Sequence, residues 1–318
     1  MGSLIFDKPV LSQLMLPVPA WLAILASDHW ASGHLPGRLA MFGQQRQGAA
    51  MIVNKLKQLW NDGTPTINGW CSIGNSFAAE IMAAQGYDSL TIDTQHGALD
   101  YSAALPMLQA MKASGATLLA RAPWNDPAAI MKLLDAGAMG IICPMINSAD
   151  EAARFVSYVR YPPLGQRSFG PTRAGIAMPG YGVAANDEVL ALAMIETADG
   201  MANLEEIAAT PGLDGIYVGP ADLTLGLTNG TLAPGFDREE KQMVSAIRRI
   251  AEVCRSNAKY ACLHCGTPEY AQKGISWGYN MTTIGADARL LAGAAAASVA
   301  RFRELTGTTS QPIGGGSY

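Results

Sequence analysis

Charge is scarce in this chain. Only 15% of its 318 residues are charged, and the formal net charge is -4. Such a balance gives no electrostatic case for binding nucleic acid or an anionic membrane. Five cysteines, an odd number without regular spacing, do not make a disulfide framework, so a reducing cytoplasm is the expected setting. No apolar run reaches the ~20 residues of a membrane span; the stretch 14–26 is interrupted by Pro17 and Pro19. No Gly-x-Gly-x-x-Gly follows an early strand, which disfavours a dinucleotide fold. What is plentiful is apolar side chain, at 49%, together with 34 glycines. That suits a large core threaded by many tight turns.

The ends read differently from the middle. Residues 37–50 lack a clear period, and Lys8 offset by Asp7 makes a poor signal-peptide start for the apolar run 14–26. Met51 opens an amphipathic helix start over 52–60. The expected organisation is an N-terminal extension at 1–50 outside the fold, a domain at 51–306, and a disordered tail at 307–318.

From residue 66 onward, β-rich runs alternate with helical patterns. The runs are 66–73, 89–94, 117–122, 140–144, 190–196, 215–219, 259–265 and 281–287. Helices are expected over 77–85, 103–113, 127–136 and 238–256, with Gly86, Gly115 and Gly137 as C-caps and Ser148, Thr197 and Thr267 as N-caps. Continuous apolar strands separated by helices imply a parallel sheet covered on both faces. Eight units in this length predict an α/β fold closed as a (β/α)8 TIM barrel. A longer insertion, 160–175, carries Arg167, Phe169 and Arg173 among prolines and glycines; it reads either as a substrate lid or as a surface excursion.

Four runs end on reactive side chains: Asp93 with His96 beyond it, Arg121, Glu196, and Asp222. Strand ends are where a barrel places its chemistry. Glu196 and Asp222 suit a hard divalent cation, the alternative being that Asp222 caps a helix while Glu196 pairs with Arg121. The fork of Arg121 suits a carboxylate or an enolate oxygen, or an ion pair to a neighbouring strand. His96, beside Asp93, is the candidate proton carrier. Asp135 either orients His96 or is a helix-end residue bonded to backbone. No lysine sits where a Schiff base needs one: most fall on helical stretches, Lys259 begins its strand, and Lys8 lies in the extension. Carbanion stabilisation would therefore come from a metal. Cys262-Leu263-His264-Cys265 invites a zinc reading, but Cys262 and Cys265 fall on opposite faces of a strand, so buried cysteines are expected.

At these residues the chain resembles the HpcH/HpaI family of metal-dependent pyruvate aldolases. The likeness runs through Ile92-Asp93-Thr94-Gln95-His96, Arg121-Ala122-Pro123-Trp124-Asn125-Asp126, Leu133-Leu134-Asp135-Ala136-Gly137, Arg160-Tyr161-Pro162-Pro163, Ile195-Glu196-Thr197 and Gly219-Pro220-Ala221-Asp222-Leu223. It spans roughly residues 51 to 307. The resemblance implies a barrel of the phosphoenolpyruvate/pyruvate-domain type and metal ligands at Glu196 and Asp222. It further implies a substrate-binding arginine at Arg121, a base at His96 supported by Asp135, and an acid at Asp93 touching metal-bound water. Trp70, Gly219, Pro220 and Ala221 would line the substrate. Gln95 stands where the family often has an acid. The implied cofactor is a divalent metal (Mg²⁺, Mn²⁺ or Co²⁺) with no organic cofactor. The implied reaction cleaves 4-hydroxy-2-oxo acids to pyruvate and an aldehyde, and its reverse. The implied assembly is a hexamer, a trimer of dimers exchanging a terminal helix. Alternatives are an oxaloacetate decarboxylase, another pyruvate-enolate enzyme, or a non-catalytic 2-oxo-acid-binding barrel.

Overall fold

The structure, a computed structural model, describes residues 52–308. The extension at 1–50 and all but the first two residues of the tail lie outside them. Eight strands pair in parallel in the closed order of the chain: β1 (Thr66–Cys71), β2 (Ser89–Asp93), β3 (Thr117–Arg121), β4 (Gly140–Cys143), β5 (Leu190–Ile195), β6 (Gly215–Val218), β7 (Tyr260–Cys265) and β8 (Met281–Ala286). The predicted barrel is therefore present. Each strand falls inside its predicted run, because the outermost residues leave the ladder to begin the loops.

Helices α1 (Lys55–Asn61), α2 (Ser76–Ala83), α3 (Tyr101–Met111), α4 (Pro127–Asp135), α5 (Ala149–Val159), α6 (Thr172–Ala177), α7 (Tyr181–Glu188), α8 (Ala198–Ala202), α9 (Leu204–Ala208), α10 (Pro220–Thr228), α11 (Lys241–Ser256), α12 (Pro268–Ser276) and α13 (Asp287–Thr306) surround it. The expected N-caps hold: Ser148, Thr197 and Thr267 accept from Glu151 N, Gly200 N and Tyr270 N. Gly86, Gly115 and Gly137 adopt φ of +89°, +76° and +110°, the left-handed region that glycine enters without strain. Helix α3 begins earlier than expected, because Asp100 caps it through Ser102 N and Ala103 N.

Strand side chains alternate between two cores. Leu119, Ile142, Leu190, Leu192, Met194, Tyr217, Cys262 and Met281 fill the barrel interior. Leu90, Ile92, Ala120, Ile141, Ile216 and Leu263 pack outward against the helices. Each fully buried Leu or Ile side chain stabilises by roughly 2 kcal/mol. The N-terminal end of the barrel is plugged by α1, whose Leu56 and Trp60 join the interior core. Trp60 Nε1 donates to Thr66 Oγ1 at 2.8 Å, and Asn54 Nδ2 donates to Met139 O and Glu188 O. Between β8 and β1, Asp287 accepts from Ser72 N and Ser72 Oγ at 2.8 Å and from Ile73 N at 3.1 Å.

The 160–175 insertion is not a lid over the strand ends. It follows α5 and leads toward β5, so it belongs to the N-terminal end of the barrel. Arg167 is 1% exposed and lies over Tyr161 at 4.4 Å and Tyr181 at 5.4 Å. Its Nη2 donates to Asp135 Oδ1 at 2.7 Å. Arg173 bonds Ala136 O and Leu108 O. Both arginines fasten the shell.

Candidate active site

Asp93 and Arg121 are register partners at the C-terminal ends of β2 and β3, which sets their side chains side by side inside the barrel. Arg121 Nε donates to Asp93 Oδ1 at 2.9 Å and Nη2 to Oδ2 at 2.6 Å. Trp70 Nε1 donates to Oδ2 at 3.1 Å, and Gln95 N and His96 N donate to Oδ1. Burial pushes the Asp93 carboxyl upward, but the Arg121 bonds and charge, with the His96 N–H and Trp70, outweigh it and hold the group below the usual carboxylate range. Asp93 thus locks the arginine against Trp70, whose ring lies 4.9 Å from the guanidinium carbon. Asp93 occupies Nε and one Nη2 hydrogen of the fork; Nη1 has only a distant contact with Met194 Sδ at 4.0 Å. The ion pair thus leaves one edge of the guanidinium without a close partner among the described residues.

Glu196 follows β5 and is 2% exposed. Met145 N donates to its Oε1 at 2.9 Å. Met145 itself holds φ +57°, an uncommon conformation for a side-chain-bearing residue. Burial pushes the Glu196 carboxyl up to about 7; the Met145 bond opposes this, the Asp222 charge adds to it, and Arg121 opposes it again. The two carboxylates therefore act on each other. Asp222 lies in the first turn of α10, where an acid suits the helix dipole, and it is exposed. Gly219 is the position that permits this packing: a Cβ there would lie 2.5 Å from Glu196 Oε2. Pro220 starts α10 and is buried, and Ala221 is half-buried.

Two carboxylates after neighbouring strands, one raised toward neutrality by burial and by the charge of the other, are a donor set that fits a hard divalent cation. Among the described residues no cluster of three or more potential metal-ligating side chains forms. A cation would take its remaining positions from water and substrate, as Mg²⁺ usually does. The zinc alternative fails on geometry. Cys262 lies in the interior core and Cys265 in the outer one.

His96 stands exposed on the loop after β2, its backbone anchored to Asp93, its imidazole free of hydrogen bonds to described residues. Asp135 does not reach it within this chain. Helix α4 runs antiparallel to β3 for nine residues, about 13 Å, and delivers Asp135 to the opposite end of the barrel. There it is the partner of Arg167.

Sequence reasoning met His264 only within the zinc reading and passed over the groups around it. His264, inside β7, packs edge-on against Trp70 at 4.9 Å and stacks on Phe236 at 4.7 Å. Its Nδ1 lies 3.0 Å from Tyr217 Oη. Asp237 (φ +52°) accepts from Gly266 N and Thr267 Oγ1, pinning the Phe236 loop beside the turn after β7. The signal was available: His264 is two residues from Cys262, so it faces the same way, into the barrel.

Fold and site together define a (β/α)8 barrel protein whose mouth carries a carboxylate pair and an aspartate-locked arginine. Residues 69–294 match the HpcH/HpaI aldolase/citrate lyase family, and the chain belongs to it. It is 40% identical over 254 residues to a hydroxypyruvate/pyruvate aldolase from Rhizorhabdus wittichii, covering 80% of this chain and 100% of the relative. It is 33% identical over 265 residues to a 4-hydroxy-2-oxo-heptane-1,7-dioate aldolase from Salmonella heidelberg, covering 80% and 98%. A crystal structure of a family protein from Burkholderia cenocepacia superposes with a TM-score of 0.72 at 31% identity, covering 79% and 100%.

Proposed function

We propose that this chain is a metal-dependent pyruvate aldolase, cleaving 4-hydroxy-2-oxo acids to pyruvate and an aldehyde and running the reverse addition. The observation that carries the reading is the Glu196–Asp222 pair beside Arg121 at one barrel mouth. Glu196 and Asp222 would hold the divalent ion (Mg²⁺, Mn²⁺ or Co²⁺), which when bound supplies Lewis acidity toward a 2-oxo acid.

The remaining work falls to the chain itself. Arg121, held by Asp93, offers its outer N–H groups to the carboxylate or developing enolate oxygen. Trp70, Gly219, Pro220 and Ala221 form the wall around it. His96 removes the proton from the C4 hydroxyl. The C3–C4 bond breaks, the aldehyde leaves, and the electron pair remains on the pyruvate fragment as an enolate. Protonation at C3 releases pyruvate. A Schiff-base route has no support: Lys259 donates to Leu213 O at the opposite end of the barrel.

Self-assembly, as a hexamer built from dimers, is part of the same reading. Helix α13 buries only Asp287 while Leu291, Phe302 and Leu305 are each more than 60% exposed. All five cysteines are buried and unpaired, in keeping with a reducing, cytoplasmic setting. No helix of the described residues is long and apolar enough to cross a membrane.

The test is cleavage of a 4-hydroxy-2-oxo acid, followed by pyruvate release, with and without EDTA. Activity lost in chelator and restored by Mg²⁺ or Mn²⁺ is the expected result; full turnover in chelator rejects the mechanism.

A further inference from the structure

The barrel interior beneath the mouth holds a chain of polar side chains that the reaction above does not use. Asn68 Oδ1 accepts from Ser89 Oγ at 2.9 Å and Thr91 Oγ1 at 3.1 Å, and Asn68 Nδ2 donates to Thr283 Oγ1 at 2.9 Å. With the amide reversed, the buried Thr91 hydroxyl would have no acceptor, so satisfying every donor fixes this orientation. Thr283 Oγ1 lies 2.7 Å from Tyr217 Oη; its other partner, Asn68 Nδ2, is itself a donor, so satisfying the buried Thr283 proton requires Tyr217 Oη as its acceptor. With Thr283 as donor to it, the Tyr217 hydroxyl proton is left for His264 Nδ1, 3.0 Å away. The relay makes Nδ1 an acceptor and leaves the ring proton on Nε2.

Burial, with the charges of Arg121 and Arg289 against that of Asp93, pushes the His264 imidazole down to about 3. The ring is therefore neutral at physiological pH. It is 8% exposed, and Nε2 bonds no described residue. Its flanks are the apolar rings of Trp70 and Phe236.

We propose that His264 is a specificity residue, presenting a fixed Nε2–H donor to a hydroxyl on the substrate's carbon chain. This rests on the aldolase reading. A neutral donor between aromatic walls pairs with a neutral oxygen. A substrate lacking that oxygen leaves a nearly buried N–H unpaired, which sets discrimination on the order of tenfold. The hydroxyl could belong to the donor, as in hydroxypyruvate, or to the acceptor, as in glycolaldehyde.

The experiment uses full-length protein loaded with Mg²⁺ and two ratios of kcat/KM: glycolaldehyde against acetaldehyde with pyruvate fixed, and hydroxypyruvate against pyruvate with one aldehyde fixed. Comparing each ratio between variants cancels intrinsic reactivity. In His264→Leu one ratio is expected to fall about tenfold, and the arm that moves identifies where the hydroxyl sits. His264→Gln, which keeps an N–H donor, is expected to restore most of it. Tyr217→Phe is expected to lower it as well, because Nδ1 loses the donor that fixes the tautomer. Nitrogen-15 spectra of the wild type should show Nε2 protonated and Nδ1 bare. Ratios unmoved in both arms, or a proton on Nδ1, overturn the proposal. Exchange of pyruvate methyl protons with D₂O by the wild type separates the two failures. Exchange with unmoved ratios removes only the role of His264; absence of both exchange and aldol product removes the aldolase reading and this inference with it.

Discussion

Glu196 and His264 are both nearly buried at one mouth, and both are kept near neutrality by burial, yet they pull stability in opposite directions with pH. A histidine depressed to about 3 contributes stability that is complete above its ordinary 6.5 and is lost as pH falls. Between pH 7 and pH 5 that loss amounts to about 2 kcal/mol. A glutamate raised to about 7 does the reverse: metal-free protein loses stability as pH climbs from the ordinary carboxylate range toward 7. Wild type alone would hide the two behind each other. Relative to His264→Gln, wild type should therefore lose about 2 kcal/mol more between pH 7 and pH 5, read by urea unfolding. A constant gap between the two proteins would show that the imidazole is not held neutral. Glu196→Ala and Asp222→Ala should each abolish retention of Mn²⁺ through gel filtration. One equivalent retained by either variant would place the cation elsewhere.

Helices and loops explain why Asp135 and Arg167 lie away from the carboxylate-bearing mouth. In a barrel each helix returns the chain from mouth to base. A residue at a helix C-terminus, or in a loop following a helix, therefore belongs to the base. Asp135 ends α4 and the 160–175 insertion follows α5, so topology alone puts both far from His96. Their pairing serves stability: Arg167 is buried between Tyr161 and Tyr181, and Asp135 is its carboxylate. Asp135→Ala should cost roughly 2 kcal/mol, because it leaves a buried guanidinium uncompensated; the partial exposure of Asp135 keeps the cost below that of a fully buried pair. Asp135→Ala combined with Arg167→Met should recover part of that loss in urea unfolding. If the single variant is as stable as wild type, the clamp is not needed.

At the scale of the whole molecule, the outlying feature is α13, twenty residues whose apolar side chains find no cover on their own barrel. Exposed apolar area of this extent is normally an interface. Leu291→Glu with Phe302→Glu should shift sedimentation velocity to a lighter species while the far-ultraviolet circular dichroism is retained. An unchanged mass would show that the helix does not hold the assembly together. Neither substitution touches the mouth, so metal retention should persist.

Strand identity, helix caps and strand-end chemistry were legible in the chain because they are local. A run of apolar β-formers, a serine before a helix, or an acid closing a strand each declares itself within a few residues. Arg121, Asp93, Glu196 and Asp222 could be assigned to one mouth for that reason. Only the folded barrel decided which groups meet across it. Arg121 bonds Asp93, Asp135 bonds Arg167, and His264 joins a relay from Asn68. Those partnerships depend on register and closure between residues as many as 215 positions apart, as between Asn68 and Thr283, and no local pattern encodes such a distance.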